Sequence, residues 1–166
     1  MSTLATGEGS TTAERLYDRP TADAAADFYP IEGLLKPTFD ENLPRLGDKL
    51  GLTLEQQAAE RHQFSETIRA AGLDLTVGRL IHNAWTSARL APDTSTEEDL
   101  LAQTEATRRA LREHWGAADA EDLLRRAQKF VKQHPGLSKT LGTGTLGSRR
   151  DIVEALVEHV RRVNFR

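Results

Sequence analysis

Apolar residues from position 53 onward recur at intervals of three and four, and residues that start or stop helices bracket these runs. Thr53 and Gln56 have the spacing of a capping box, and Gly72 supplies a left-handed stop for the helix between them. Pro92 ends the next run, and the polar cluster at 93–96 opens another. No segment alternates apolar and polar residues as a half-buried strand does. The sequence therefore predicts an all-α fold, a compact bundle of about five helices.

Breaks in this pattern divide the chain into three parts. Residues 1–20 are rich in Ser, Thr, Gly, Ala and charged residues and predict a disordered tail. Residues 21–52 mix apolar side chains with three prolines and three glycines, which predicts an irregular, flexible arm with short helices. Such an arm could pack over the core or dock on another subunit. Residues 53–166 form the predicted helical bundle domain.

The predicted core is mainly aliphatic, because aromatic residues make up only 5% of the chain. Trp85 shares an apolar stripe with Leu80 and Ile81, and we expect it to be a fully buried anchor of this core.

Composition argues against several kinds of chemistry. The chain has no cysteine, and none of its five histidines forms the i, i+4 pair of a helical zinc motif. The sequence shows no arrangement of a nucleophile with a base. We therefore predict no catalytic residues, no cofactor and no metal site. No apolar run approaches the roughly 20 residues that cross a bilayer, so no membrane partner is expected.

A glycine-rich turn at 142–147 matches G-x-G-x-x-G and precedes a helix. The dinucleotide-binding motif needs a strand before this turn, whereas residues 136–141 favour a short helical turn. The glycines are therefore interpreted as allowing positive φ where the chain reverses. A weaker alternative is that free amides, with Arg149 and Arg150, hold a phosphate or carboxylate.

Charge is divided unevenly along the chain. From residue 121 onward there are ten Lys and Arg residues and five Asp and Glu residues. Residues 1–120 contain twelve Lys and Arg residues and twenty Asp and Glu residues. An acidic body with a basic end indicates an electrostatic partner. The residues predicted to contact it lie on the fourth and last predicted helices and are Arg125, Arg126, Lys129, Lys132, Arg149, Arg150, Arg161 and Arg162.

Arg149 and Arg150 carry most weight, because the helix dipole disfavours cations in a first turn by about 0.3–1 kcal/mol each. An acidic partner surface would offset this cost. The alternative is pairing inside the bundle, for which Asp119, Glu121 and Asp122 are the candidates.

Nucleic-acid binding is a second possible use of the basic helices. It has less support, because Trp115 and Phe130 lie on apolar stripes and are not free to stack on bases. The two basic helices are also separated by roughly fourteen residues, which is too long for a helix-turn-helix module.

Three stretches resemble the small helical capsid-assembly proteins of tailed bacteriophages, the scaffolding-like group. Residues 51–57 resemble that group's Gly-Leu-Thr-x-Glu-Gln helix start, and residues 111–116 resemble its arginine-bearing helix ending in Trp-Gly. Residues 143–148 loosely match a glycine turn before a terminal helix. The resemblance extends over residues 51–163.

The resemblance implies a non-enzymatic virion assembly or structural protein, acting through multivalent protein contacts as a scaffold, head–tail connector or decoration protein. Its partners would be capsid, portal or connector proteins, and the chain would form homo-oligomers or occur in many copies. It would be found in the host bacterial cytoplasm during assembly, or in the virion. The long coiled segments common in scaffolds are missing, which leaves room for a permanent virion component.

Overall fold

A computed structural model describes residues 31–91 and 93–166, and within them the chain folds into eight α-helices without any strand. The elements are α1 (Ile31–Leu34), α2 (Lys36–Leu50), α3 (Leu54–Ala70), α4 (Leu75–Leu90), α5 (Glu97–Trp115), α6 (Ala117–Gln133), α7 (Pro135–Leu141), a 3-10 turn (Leu146–Ser148) and α8 (Arg150–Arg162). The all-α prediction is confirmed for this part of the chain, but the number of helices is about eight and not five. The predicted tail at 1–20 and the first ten residues of the predicted arm lie outside the described residues.

The prediction of an irregular arm is wrong for residues 31–50, which form α1 and α2. Four apolar side chains of this segment are buried in the core: Leu35, Phe39, Leu43 and Leu46. The helix-breaking residues stand where a helix tolerates them. Pro37 lies in the first turn of α2, and Gly51 ends the helix with a φ of 71°. Pro44 and Gly47 lie inside the helix, and Pro44 is on its exposed side.

Side-chain caps fix the helix ends that the sequence indicated. The Gln56 amide donates to Thr53 Oγ1 at 3.1 Å, and the Thr53 amide donates to Gln56 Oε1 at 2.8 Å, so the capping box is complete. Gly72 has the expected positive φ of 61°.

The helices pack in two groups that share one core. In the first, α2 packs against α3 and α4. In the second, α6 packs against both α5 and α8, which also contact each other. Contacts between α4 and α8 join the groups, and α7 contacts α3, α4 and α6. This arrangement places the two basic helices, α6 and α8, side by side.

Trp85 is half-buried, so the prediction of a fully buried anchor is wrong. Its ring stacks near Phe64, with centroids 6.0 Å apart, and the Arg89 guanidinium lies 4.5 Å from the ring centre. The indole Nε1 donates to Thr143 Oγ1 at 3.2 Å. A polar indole edge and a neighbouring cation explain why this side chain lies at the boundary of the core.

His82 is the most deeply buried ionisable side chain of the first group, with 1% of its surface exposed. The rings of Phe39 and Phe64 lie 5.0 and 4.7 Å from its ring centre. Asn42 Nδ2 donates to His82 Nδ1 at 2.9 Å, whereas Nε2 has no partner among the described residues. Burial lowers the pKa of His82 to about 4, and the positive charge of Arg89 acts in the same direction.

Candidate partner-binding site

The first turn of α8 carries two of the predicted partner-binding residues, and both are paired within that helix. Arg149 donates to the Asp151 carboxylate at 3.1 and 2.7 Å, and Arg150 donates to Glu154 at 2.7 Å. The hydrogen bonds from Arg149 lower the pKa of Asp151, although partial burial opposes the shift. Internal pairing therefore offsets the dipole cost, but its acceptors are carboxylates of α8 itself and not the three candidates named from the sequence.

The last turn of α8 carries two more predicted residues, of which Arg161 is paired within the helix and Arg162 with the N-cap residue of α4. Arg161 donates to Glu158 at 3.1 and 2.6 Å, and Arg162 donates to Asp74 Oδ2 at 2.6 Å. About half of each arginine side chain is exposed. Exposed ion pairs contribute about 0–1 kcal/mol, so a partner can replace them at low cost.

Arg126 differs from the other predicted residues because it is a structural side chain. Only 20% of its side chain is exposed, and it donates to the carbonyls of Val160, at 3.1 Å, and Phe165. Val160 lies in the last turn of α8, and Phe165 lies three residues beyond its last residue, Arg162. The Val160 carbonyl also accepts from the Phe165 amide at 3.0 Å, so Arg126 adds a second donor where helix carbonyls lack partners within the helix. Arg126 therefore caps α8, and we remove it from the candidate site.

Arg125, Lys129 and Lys132 form an exposed basic surface on α6, which we call the α6 basic face. Arg125 is 75% exposed and donates to Asp122 at 3.0 Å, and Lys129 donates to the Arg166 carbonyl at 3.0 Å. Lys132 has no hydrogen bond or ion pair to the described part of the chain. The face lies opposite the side of α6 that is buried, which consists of Ala120, Leu123, Ala127 and Phe130.

Two adjoining clefts lie between α5 and α8, and together we call them the α5–α8 groove. The first has a volume of about 530 Å³, and the second has about 480 Å³. The first is lined by Ala110, Leu111, Glu113, His114, Trp115, Arg150, Glu154 and Glu158. The second is lined by Gln103, Arg149, Arg150, Asp151 and Glu154, so the two share Arg150 and Glu154.

The lining of the first cleft combines an aromatic ring with an excess of carboxylates. Trp115 is half-buried, and the Arg161 guanidinium lies 4.8 Å from its ring centre. Three glutamates but only one arginine line the cleft itself. Arg161 lowers the pKa of Glu158 through its hydrogen bonds, which favours the ionised carboxylate. The cleft is thus suited to an apolar segment that carries basic side chains at its edges.

Sequence reasoning missed this groove. Glu154 and Glu158 are four residues apart, so the sequence does place them on one face of α8. The opening beside them depends on the distance between α5 and α8 in the fold, for which the sequence gives no local signal.

Other proposed sites receive no further support from the geometry. Gly144 has the expected positive φ of 56°, whereas Gly142 has a φ of −74°. Arg149 and Arg150, considered for an anion site, are bonded to Asp151 and Glu154.

Among residues 31–91 and 93–166, no cluster of histidine and acidic side chains could hold a metal ion. Within the same ranges, no helix has the length and apolarity required to cross a membrane.

Comparisons with known proteins identify no relative: no family model, characterised protein or solved structure matches this chain. The groove and the distribution of charge therefore carry the functional argument.

Proposed function

We propose that this chain is a non-enzymatic assembly protein that acts through multivalent protein–protein contacts. The observation that supports this most directly is the α5–α8 groove, whose first cleft has an aromatic ring and an excess of carboxylates. Tryptophan is enriched at the centres of protein interfaces, where its large ring contributes to binding.

The dimensions of the groove suit a helical segment of a protein. From Gln103 to Trp115 the α5 wall covers twelve residue steps, or about 18 Å at 1.5 Å per residue. Two or three turns of a helix fit this length, and a helix lying in a groove is a common mode of recognition. Apolar side chains would contact Trp115 and Ala110, and basic side chains would meet the glutamates.

The biological setting that we propose is virion assembly in a tailed bacteriophage, and it rests on the resemblance in residues 51–163 alone. Capsid, portal or connector proteins would then be the partners, and the host cytoplasm would be the place of assembly. The bundle has no long coiled helix in its described part, which supports a connector or decoration role over a transient scaffold.

Nucleic-acid binding, the other use considered for the basic helices, has less support. Seven of the eight basic side chains bond to groups of the same chain, and Arg126 is mostly buried. A gel-shift titration at two salt concentrations tests this use. We expect no binding near physiological salt, whereas affinity that falls steeply as salt rises would support nucleic-acid binding.

Photo-crosslinking tests the proposed function. A photoreactive amino acid replaces Gln103 in the groove, and the matched control carries it at Lys49 on α2, which is also exposed. Both variants are irradiated in the cells that naturally produce the chain. We expect the groove variant to crosslink to a small set of proteins that includes virion components. Crosslinks equal to those of the control, or crosslinks to nucleic acid alone, would contradict the proposal.

A further inference from the structure

Two surfaces of opposite charge lie on different sides of the α5, α6 and α8 layer. The buried side of α6 packs against both α5 and α8, so the α6 basic face points away from these helices and from the groove between them. A chain therefore cannot place this face in its own groove. A contact between the two surfaces has to join different copies.

We propose that the α5–α8 groove of one copy binds the α6 basic face of a second copy, head to tail. This inference rests on the proposed function, because it names the protein segment that occupies the groove. Charge complementarity is the reason for choosing a second copy. Three glutamates against one arginine line the main cleft, and three basic side chains form the opposing face.

The charged groups also match in spacing. Arg125 and Lys129 are four residues apart on α6, as Glu154 and Glu158 are on α8, which gives a rise of about 6 Å in each case. Lys132 on α6 and Glu113 on the opposite wall have no ion-pair partner in the described part of the chain. Each is therefore available to pair between copies.

The existing ion pairs do not prevent this contact. Arg125–Asp122, Arg150–Glu154 and Arg161–Glu158 are all exposed pairs, which contribute little to stability and can exchange partners. A head-to-tail contact uses two different surfaces, so each bound copy still presents one free groove and one free face. Such contacts close into rings or extend into filaments, which suits a protein that assembles in many copies.

Sedimentation velocity over a range of protein concentrations, at low and high salt, tests the inference. The face variant carries Arg125→Glu and Lys132→Glu, and the groove variant carries Glu113→Lys and Glu154→Lys. Control pairs with the same charge changes lie on exposed positions of α2: Arg45→Glu with Lys49→Glu, and Glu41→Lys with Asp48→Lys. Circular dichroism verifies that each variant is helical. Lys132→Gln and Glu113→Gln are milder variants, because each removes one charge without reversing it.

We expect the parent chain to associate more strongly at low salt. Each reversed variant alone should associate more than about tenfold more weakly, because like charges then oppose each other. Mixing the two reversed variants should restore association, since each groove again meets a face of opposite charge. The α2 controls should behave as the parent does.

Association of the reversed variants at parental strength would overturn the inference, and so would a parent that stays monomeric at both salt concentrations. Neither result would decide the proposed function, which photo-crosslinking tests separately. Crosslinks from Gln103 to another protein, and none to a second copy, would support the proposed function. They would contradict the inference that a second copy occupies the groove.

Discussion

Protonation of His82 should destabilise the first group of helices. The ring is buried among Phe39, Phe64 and Trp85, and its Nδ1 accepts a hydrogen bond from Asn42. The imidazolium form could not accept this bond, and its charge would lie in an apolar environment. The positive charge of Arg89 also opposes protonation of His82.

The magnitude follows from the lowered pKa. In the unfolded chain the imidazole has a pKa near 6.5, and in the folded chain it has a pKa of about 4. Between these values the unfolded state binds one more proton, so the stability contributed by the neutral ring decreases as pH falls from 6.5 to 4. At 1.36 kcal/mol per pKa unit, the loss between pH 7 and pH 4.5 is about 2 kcal/mol. Burial also lowers the pKa of His159, which adds a loss in the same direction.

Urea denaturation at a series of pH values, followed by circular dichroism, measures this loss. His82→Gln should be less stable than the parent at pH 7, but should lose about 2 kcal/mol less between pH 7 and pH 4.5. His62→Gln is the matched control, because it makes the same substitution at an exposed position. An His82→Gln variant with the pH dependence of the parent would refute the reasoning.

Two further predictions concern the packing of the bundle. Arg126→Ala should lower the free energy of unfolding by about 2 kcal/mol, because it removes two charge-assisted bonds to the end of α8, whereas Arg125→Ala should change it by less than about 0.5 kcal/mol. Gly136→Ala should destabilise by about 1 kcal/mol or more, because its Cβ would lie 2.7 Å from Thr67 Oγ1; Gly33→Ala meets no atom within 4 Å and should be neutral or slightly stabilising. Urea titrations at neutral pH measure all four changes, and equal effects within either pair would contradict the structural account.

The sequence was most informative where a few neighbouring residues determine the structure. Thr53 with Gln56, and Gly72, were correctly assigned because capping depends on residues three or four positions apart. α2 was missed because its breakers were counted without regard to position. Pro37 in a first turn and Gly51 after the last turn are compatible with a helix between them.

The candidate site was less predictable, because its properties depend on packing between distant segments. Arg125 and Arg126 are adjacent in sequence, yet one is a surface residue and the other caps α8. The two arginines differ because the carbonyls of Val160 and Phe165 lie within hydrogen-bonding distance of Arg126 in the fold. The charge split was visible in the sequence, but Arg149, Arg150 and Arg161 pair with carboxylates of α8 and Arg162 pairs with Asp74, so much of the basic charge is already matched within the chain.

Disulfide trapping between copies tests the head-to-tail contact most directly. The chain has no cysteine, so single-cysteine variants have no background reaction. Gln128→Cys lies beside the α6 basic face, and Gln103→Cys lies in the groove; both positions are exposed. When the two variants, distinguished by mass, are mixed and mildly oxidised at low salt, we predict mainly the 128–103 heterodisulfide and a lower yield at high salt. Homodisulfides forming as readily as the heterodisulfide, at either salt concentration, would contradict a groove occupied by α6 of a second copy.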